Sequence, residues 1–447
     1  MSTLRNILQT PELRNKILFT LFILVLYRLG VQVPAPGVSL DAVEALRNQA
    51  ETTTGGIFEY LNVFTGGGLA SLSLFSLGIL PYITASIIMQ ILTVAIPKLE
   101  EWQSQGTVGQ RKISQWTRYV TVALALVQST GIVFIVSRAP ERFFGQDVGL
   151  FPDDSVGLVL LAVTTMTVGT TLVMWMGELI TQKGIGNGMS MIIFASVVSS
   201  LPSLGSRIFD LAGPVWLAVC IGLLVMLTAG IVFVEQGQRR IPVNFAKRVV
   251  GRRQYGGNNS YIPLKVNQAG VIPVIFASSL LQLPSLISNV LPTSGNPARP
   301  NWGDRVAGFI NNNLFQPDNL GYILIFGVMI VGFAYFYNAI AFDPVKRAED
   351  LRKSGGFIPG IRPGPQTETY LAKILNRITL PGALFLALVA LIPSAALARL
   401  LGSGQNATAS LVGFSGVSVL IAVGVSLETM KQINSQLMAR NYEGFLK

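Results

Sequence analysis

The sequence predicts an all-α polytopic membrane protein with ten transmembrane helices. Half of its 447 residues are apolar and only 12% are charged, whereas a soluble domain carries about twice that charged fraction. The apolar residues gather into runs near the ~20 residues that cross a bilayer. The predicted spans are Ile17–Val33, Phe75–Ile96, Thr117–Val136, Gly157–Leu179, Gly188–Leu204, Pro214–Val234, Gln268–Val290, Gly321–Ala341, Ile378–Leu397 and Leu411–Leu427.

The charge distribution predicts the orientation of these spans. An even number of spans puts both termini on the same side, and Lys and Arg mark cytoplasmic segments. With cytoplasmic termini, only eight of the 33 Lys and Arg residues fall on the outer side, while the 22 acidic residues divide evenly. Both termini are therefore predicted to be cytoplasmic.

The composition excludes several classes of site. The chain has no histidine and one cysteine, Cys220, which lies within an apolar run, so disulfide scaffolds, Cys/His metal sites and imidazole proton relays are not expected. The spans are almost uncharged. Glu178 and Glu428 lie at span ends, where a carboxylate reaching the cytoplasmic interface explains them. Nucleotide loops and nucleophile elbows are missing from the sequence, so we expect neither an enzyme nor a cofactor.

The stretch from Gly66 to Gln90, GGGLASLSLFSLGILPYITASIIMQ, predicts a discontinuous membrane segment. Three glycines and a mildly apolar piece precede an apolar span, which Pro81 is expected to bend. Lipid tolerates irregular backbone only where protein or a water-filled cavity shields it. The stretch therefore indicates a cavity, with a loose piece at Gly66–Leu74 that can move.

A conduit needs an apolar seal, and stiff β-branched side chains suit one. Three isoleucines of this stretch recur every four residues and share one helical face, which alone is also typical of a lipid-facing stripe. The candidates for a sealing ring are Ile79, Ile83, Ile193, Ile275 and Ile421.

Two cytoplasmic loops, residues 235–266 and 343–377, predict a docking surface. The first contains six basic residues within Glu235–Gly257, interleaved with apolar ones as in a β-hairpin. The second carries the tip GGFIPGIRPG, with Arg362 at its centre. Ribosomal RNA or an acidic protein surface would suit this charge, and anionic lipid is the alternative. A further glycine-rich motif, GIGNG at Gly184–Gly188, predicts a tight turn between the fourth and fifth spans.

Five spans precede Ser206 and five follow it. Two five-span halves of opposite topology are a known way to place a pathway at their interface. Two pseudo-symmetric halves, residues 1–205 and 206–447, are therefore our hypothesis.

Four motifs resemble the SecY family, the central subunits of the bacterial protein-conducting channel. They are SLGILPYITASIIMQ (Ser76–Gln90), WMGELITQKGIGNGMSMIIFA (Trp175–Ala195), PLKVNQAGVIPVIFASSLL (Pro263–Leu281) and SGGFIPGIRPG (Ser354–Gly364). The resemblance implies a clamshell with an hourglass pore that opens sideways to lipid between the second/third and seventh/eighth spans. It also implies a plug at about residues 62–74, including Gly66, Gly67, Gly68, Leu69 and Leu72.

The resemblance assigns further residues. The implied pore ring is Ile79, Ile83, Met189, Ile193, Ile275 and Ile421, where Met189 is more flexible than the branched residue common at its position. Implied lateral-gate residues are Thr84, Gln90, Ser278 and Leu283. Implied docking residues are Arg240, Lys247, Arg248, Arg252, Arg253 and Arg362. Pro365 stands where the family often has an acid, so the tip of that loop is expected to differ in detail.

The implied activity is passage of unfolded secretory polypeptides and lateral release of transmembrane segments, driven by the ribosome or by the motor ATPase SecA. SecE-like and SecG-like small subunits, ribosomal RNA, signal peptides, nascent chains and membrane lipid are the implied partners. The membrane would be a bacterial inner (plasma) membrane or a thylakoid membrane. Two rival classes stay open: a secondary transporter, which predicts buried charges and a polar site, and a structural subunit that conducts nothing.

Overall fold

The protein is mostly helical. The computed structural model describes residues 10–39, 62–138, 156–245, 248–250, 253–255, 260–290, 302–303, 305–306, 308–309, 319–400 and 416–444. Its helices are α1 (Pro11–Gln32), α2 (Leu80–Ala95), α3 (Pro97–Ser104), α4 (Thr107–Arg138), α5 (Val156–Lys183), α6 (Gly188–Ala212), α7 (Pro214–Gln236), α8 (Ile272–Val290), α9 (Leu320–Ala341), α10 (Pro344–Lys353), α11 (Pro365–Leu400) and α12 (Gly416–Gly444).

Each of the ten predicted spans coincides with one of these helices: α1, α2, α4, α5, α6, α7, α8, α9, α11 and α12. Within the described residues, eight helices are long and apolar enough to cross a membrane, and a ninth span results if α2 and α3 count together. In α8 the described apolar part is shorter, Ile272–Leu281. The predicted start of the tenth span, residues 411–415, lies outside the described residues.

The second span differs from its prediction. It was expected to begin at Phe75 and to bend at Pro81, but α2 begins at Leu80, with Pro81 in its first turn. Proline at the first helical positions lacks only an N–H that would be unpaired anyway, so it starts a helix instead of bending one. The sharp bend comes later, at Pro97, where α2 and α3 meet at 99°.

The helices of the two predicted halves meet along two seams. We call the contact of α8 with α2 and α4 the front seam, and the contact of α6 with α7 and α12 the back seam. Within the first half, α4 packs between α2 and α5. Within the second, α9 packs between α8 and α11. The division into pseudo-symmetric halves remains a prediction.

A small sheet connects the two loops predicted for docking. Its strands are β1 (Gln238–Phe245), β2 (Arg248–Val250), β3 (Arg253–Tyr255), β4 (Ser260–Lys265) and β5 (Gly356–Phe357). β1 pairs antiparallel with β4, with Arg240 opposite Pro263, and its end pairs antiparallel with β5 of the other loop. β2 pairs with β3. The predicted hairpin is therefore confirmed, and we call this end of the bundle the loop side.

Candidate functional site

A cavity of about 400 Å³ lies between the two predicted halves. It is on the loop side, because its lining includes Ser114 near the start of α4, Gln182 near the end of α5, and Asn187 in the turn before α6. The turn at residues 184–187 confirms the prediction made for GIGNG. Apolar side chains of α2, α6 and α8 form part of its lining.

Four of the six predicted ring residues line this cavity: Ile83, Met189, Ile193 and Ile275. The three isoleucines are almost fully buried, whereas Met189 is only partly buried. Ile79 and Ile421 are buried in the same apolar cluster but do not line the cavity. Because Ile79, Ile83 and Ile87 are all buried, a lipid-facing stripe does not describe them.

Residues 62–79, which we call the inner segment, fill the core on the opposite side from the loop side. After one helical turn at residues 62–64, the chain runs through successive turns to the start of α2. Leu69 and Leu72 are both 1% exposed and belong to the same cluster as the ring isoleucines. The predicted loose piece is therefore tightly packed in this structure.

Side chains of α1 and the backbone that follows it anchor the inner segment. Arg28 donates to the Gly66 carbonyl at 2.8 Å, and the Tyr27 ring stacks on Phe75 with centroids 5.9 Å apart. The Tyr27 hydroxyl also hydrogen-bonds Ser196 of α6 at 2.8 Å. An isolated bridge pairs Pro34 with Ser73. These contacts immobilise a stretch that has no regular helix of its own.

The three glycines allow this packing in different ways. Gly66 and Gly67 have φ angles of +67° and +94°, which L-residues with a side chain rarely adopt. A Cβ at Gly66 would also meet the Arg28 guanidinium and the backbone of Ser196. At Gly68 a Cβ would meet the hydroxyl of Ser73. The glycines thus fit a sharp, crowded turn, and not only a flexible joint.

The predicted gate residues lie on the helices of the front seam. Thr84 and Ser278 are buried, and their hydroxyls donate to carbonyls of their own helices, Leu80 at 3.1 Å and Ile275 at 2.8 Å. Gln90 lines the cavity, and its buried Oε1 has no hydrogen-bond partner. Leu283 is within α8, but its side chain is outside the described residues.

The back seam is bonded across its two sides. The Gly186 N–H donates to Gln432 Oε1 of α12 at 3.0 Å, and the Thr429 hydroxyl donates to Met191 Sδ at 3.5 Å. Beside them, Leu13 and Ile185 form a buried cluster with partly buried Ile17, Ile433 and Leu437. This seam therefore combines hydrogen bonds with apolar packing.

The loop side presents a basic surface on a folded core. Its core is shared by both loops and contains Ile241, Val243, Leu264, Phe342, Ile358, Leu371, Ile374 and Leu375. Arg240 is exposed, with its guanidinium 4.9 Å from the centre of the Tyr261 ring, an arrangement that favours the cation. Arg362 is also exposed, and its carbonyl accepts a hydrogen bond from the Thr367 hydroxyl at 3.1 Å.

The remaining docking residues are only partly described. Arg248 and Arg253 lie in β2 and β3, but their side chains are outside the described residues, as are Lys247 and Arg252 entirely. Pro365 begins α11, which suits a residue that lacks an N–H. The helix that contains the ninth span therefore begins 13 positions before Ile378, the predicted start of that span. Its first three turns lie within the predicted loop 343–377.

The family model of SecY matches residues 73–430, about four fifths of the chain. The chain belongs to the SecY family. Curated SecY relatives agree along their whole length. The "Protein translocase subunit SecY" of Mycobacterium tuberculosis is 48% identical over 100% of both chains, and that of Streptomyces scabiei is 50% identical over 98% of both.

Solved structures share the SecY fold. A protein conducting channel aligns with a TM-score of 0.62 and 19% identity, covering 94% of this chain and 92% of that one. Sec61 in the canine ribosome-channel complex aligns with a TM-score of 0.58 and 18% identity over the same shares. A SecY protein in which a plug domain stabilises the closed state of the translocation channel also aligns with a TM-score of 0.58, at 18% identity.

One feature of the cavity was not predicted. Glu178, expected to be a carboxylate reaching the membrane interface, is held by Arg118 of α4 through two hydrogen bonds of 2.6 and 2.7 Å. Both residues line the cavity. The available signal was an arginine at one end of the third span and a glutamate at one end of the fourth, at matching depth if the two helices are antiparallel neighbours.

Proposed function

We propose that this SecY-family chain is a protein-conducting channel that passes unfolded secretory polypeptides across a membrane. One observation carries the proposal: buried isoleucines line a cavity between the halves, and they belong to the same buried cluster as the tightly packed inner segment. An apolar constriction expels water, so the arrangement seals the idle channel. Displacing the inner segment would open a continuous path.

The front seam is the proposed lateral gate. The buried Thr84 and Ser278 hydroxyls bond within their own helices and Gln90 Oε1 is unpaired, so separating α2 from α8 breaks none of these polar contacts. A transmembrane segment that reaches the seam would then partition into lipid according to its apolarity. Ile79 and Ile421 are the remaining members of the proposed ring, and they lie in the buried cluster next to the cavity-lining isoleucines.

The loop side is the proposed docking surface for the ribosome or SecA, and thus the cytoplasmic side. The positive-inside rule supports this orientation, and both termini would be cytoplasmic. The energy for transport would come from the docked partner, which makes the channel a passive conduit. SecE-like and SecG-like subunits, and an inner (plasma) membrane, belong to the same proposal.

Reconstitution into vesicles tests the channel function. Vesicles would contain the chain with SecE-like and SecG-like subunits, SecA and ATP, and would receive a signal-bearing precursor. We expect the precursor to become protected from protease in a manner that depends on both ATP and the signal. No protection, in a folded and correctly oriented preparation, would contradict a SecA-driven channel.

Docking has a test of its own. Arg362→Glu is expected to block SecA-dependent transport while leaving thermal stability unchanged, because the side chain is exposed and its fold-supporting contact runs through the carbonyl. Arg347→Glu is a matched control on the same loop, outside the tip. Normal transport by Arg362→Glu would show that the tip does not dock SecA.

A further inference from the structure

The two walls of the cavity differ in chemistry. The wall from the first half carries polar groups of α2, α4, α5 and α6, such as Gln90, Ser114 and Ser190, beside the ring residues Ile83, Met189 and Ile193. The wall from the second half carries Ile272, Phe276 and other apolar or aromatic side chains of α8 and α9. A helix with one charged and one apolar part would therefore meet a complementary surface for each.

The polar wall holds one ion pair, and among the described residues that line the cavity its members are the only charged ones. Arg118 Nε donates to one oxygen of Glu178, and Arg118 Nη2 donates to the other. The Glu178 side chain is only 19% exposed, whereas that of Arg118 is 44% exposed. The carboxylate is thus the fixed member, and the longer, more exposed arginine is the member that can move away.

An unpaired acceptor lies beneath the surface of the same wall. Gln90 Oε1 is buried and makes no hydrogen bond, although a buried polar atom is normally paired. An amide oxygen and a carboxylate both accept hydrogen bonds, and neither donates one in these states. The partly exposed Glu178 carboxylate therefore suits a cationic donor such as a lysine ammonium or an arginine guanidinium.

We propose that Glu178 receives the basic N-terminal flank of an arriving signal segment, and that Arg118 occupies this carboxylate until the segment displaces it. Signal segments carry positive charge before an apolar stretch, and the apolar stretch would contact the Ile272 and Phe276 wall. This inference rests on the proposed channel function and adds the residue that reads the flanking charge.

The ion pair with Arg118 would make the Glu178 site selective for signal segments over other cations. An unpaired carboxylate in the cavity lining would attract any cation that diffuses into the cavity. With Arg118 in place, an arriving cation must break a two-bond charged contact, which is stronger than a single neutral hydrogen bond. Only a segment that also gains apolar contact with the opposite wall offsets this loss.

Transport of a precursor series by reconstituted vesicles tests the proposal. The precursors share one apolar core of about ten residues and carry flanks with no lysine, two lysines or four lysines. The readout is the charge dependence, meaning the rate with the four-lysine flank divided by the rate with the neutral flank. Glu178→Gln is expected to lower this ratio by up to about fivefold, the range of a partly exposed charge pair.

Arg118→Gln provides the matched control. It removes the competing cation and leaves the carboxylate, so the ratio is expected to equal or exceed that of the unmodified protein. A merely structural ion pair would make both variants behave alike. An unchanged ratio in Glu178→Gln, or a lowered ratio in Arg118→Gln, overturns the proposal.

A double variant keeps the test decisive if Glu178→Gln fails to fold. Arg118→Gln combined with Glu178→Gln leaves no unpaired charge, and the low ratio expected for Glu178→Gln should appear there too. A retained charge dependence in the double variant overturns the proposal. If the unmodified protein transports none of the precursors, the proposed channel function fails; if it transports them and Glu178→Gln keeps the ratio, only the assignment of Glu178 fails.

Discussion

Both seams between the halves are contacts between helices, but different interactions stabilise them. On the back seam, hydrogen bonds cross from one side to the other, as from Gly186 to Gln432, and an apolar cluster supports them. On the helices of the front seam, Thr84 and Ser278 bond within their own helices and Gln90 Oε1 bonds to nothing. The difference predicts that the front seam parts while the back seam acts as a hinge.

The largest expected effect concerns the seal at the front seam. Ile83→Gly on α2 or Ile275→Gly on α8 should raise ion permeability of idle vesicles at least about tenfold. Each side chain contributes about 1.5–3 kcal/mol of apolar burial, and a barrier lower by about 1.4 kcal/mol already increases a rate tenfold. Ion flux across vesicles containing the purified variants measures this.

The control for this effect is Ile231→Gly, at a buried isoleucine of α7, which is one of the helices of the back seam. It costs similar apolar burial but lies outside the cavity lining, so permeability should stay low although stability falls. Equal leaks from Ile83→Gly and Ile231→Gly would show that leakage reports general destabilisation and not the ring.

A smaller effect of opposite sign is expected at Gln90. An unpaired buried amide oxygen costs about 1–3 kcal/mol of stability. Gln90→Met keeps the approximate shape of the side chain and removes this cost. The closed front seam should therefore become more stable and transport slower, by up to about tenfold. Thermal unfolding and protease protection measure the two changes, and a variant that is both less stable and faster would contradict the account.

The smallest expected effect is at the back seam. Gln432→Ala removes the acceptor for the Gly186 N–H and should lower the free energy of unfolding by about 0.5–1.5 kcal/mol. Transport should continue at nearly the original rate, because the hinge keeps its apolar cluster. A transport loss as large as that of Gln90→Met would erase the distinction between the seams.

The sequence predicted the membrane spans, the hairpin and the GIGNG turn well, because apolar run length, alternation and glycine spacing are local signals. It misplaced the start of α2, since Pro81 reads equally as a kink inside a helix or as a first-turn residue. The successive backbone turns before Leu80 and the bridge between Pro34 and Ser73 show that this part of the chain is not helical.

Contacts between distant parts of the chain could not be predicted from local patterns. The Arg28 bond to Gly66 and the Arg118 bonds to Glu178 join residues 38 and 60 positions apart. Each arginine stood out in the sequence only as a charge near a span end. Pairing them with a partner requires knowing which helices are neighbours and at what depth.

Crosslinking the two seams separately tests the central claim most directly. In a Cys220→Ser background, cysteines replace Ser86 of α2 and Ile272 of α8, which line the cavity from opposite sides of the front seam. A matched pair replaces Met191 and Thr429 at the back seam. A short thiol crosslinker at the front pair is expected to abolish ATP-dependent protease protection of the precursor, and a longer one to restore it. The back pair should transport normally with either crosslinker. Transport through a front seam closed by the short crosslinker, or its loss when the back seam is closed, would contradict the account.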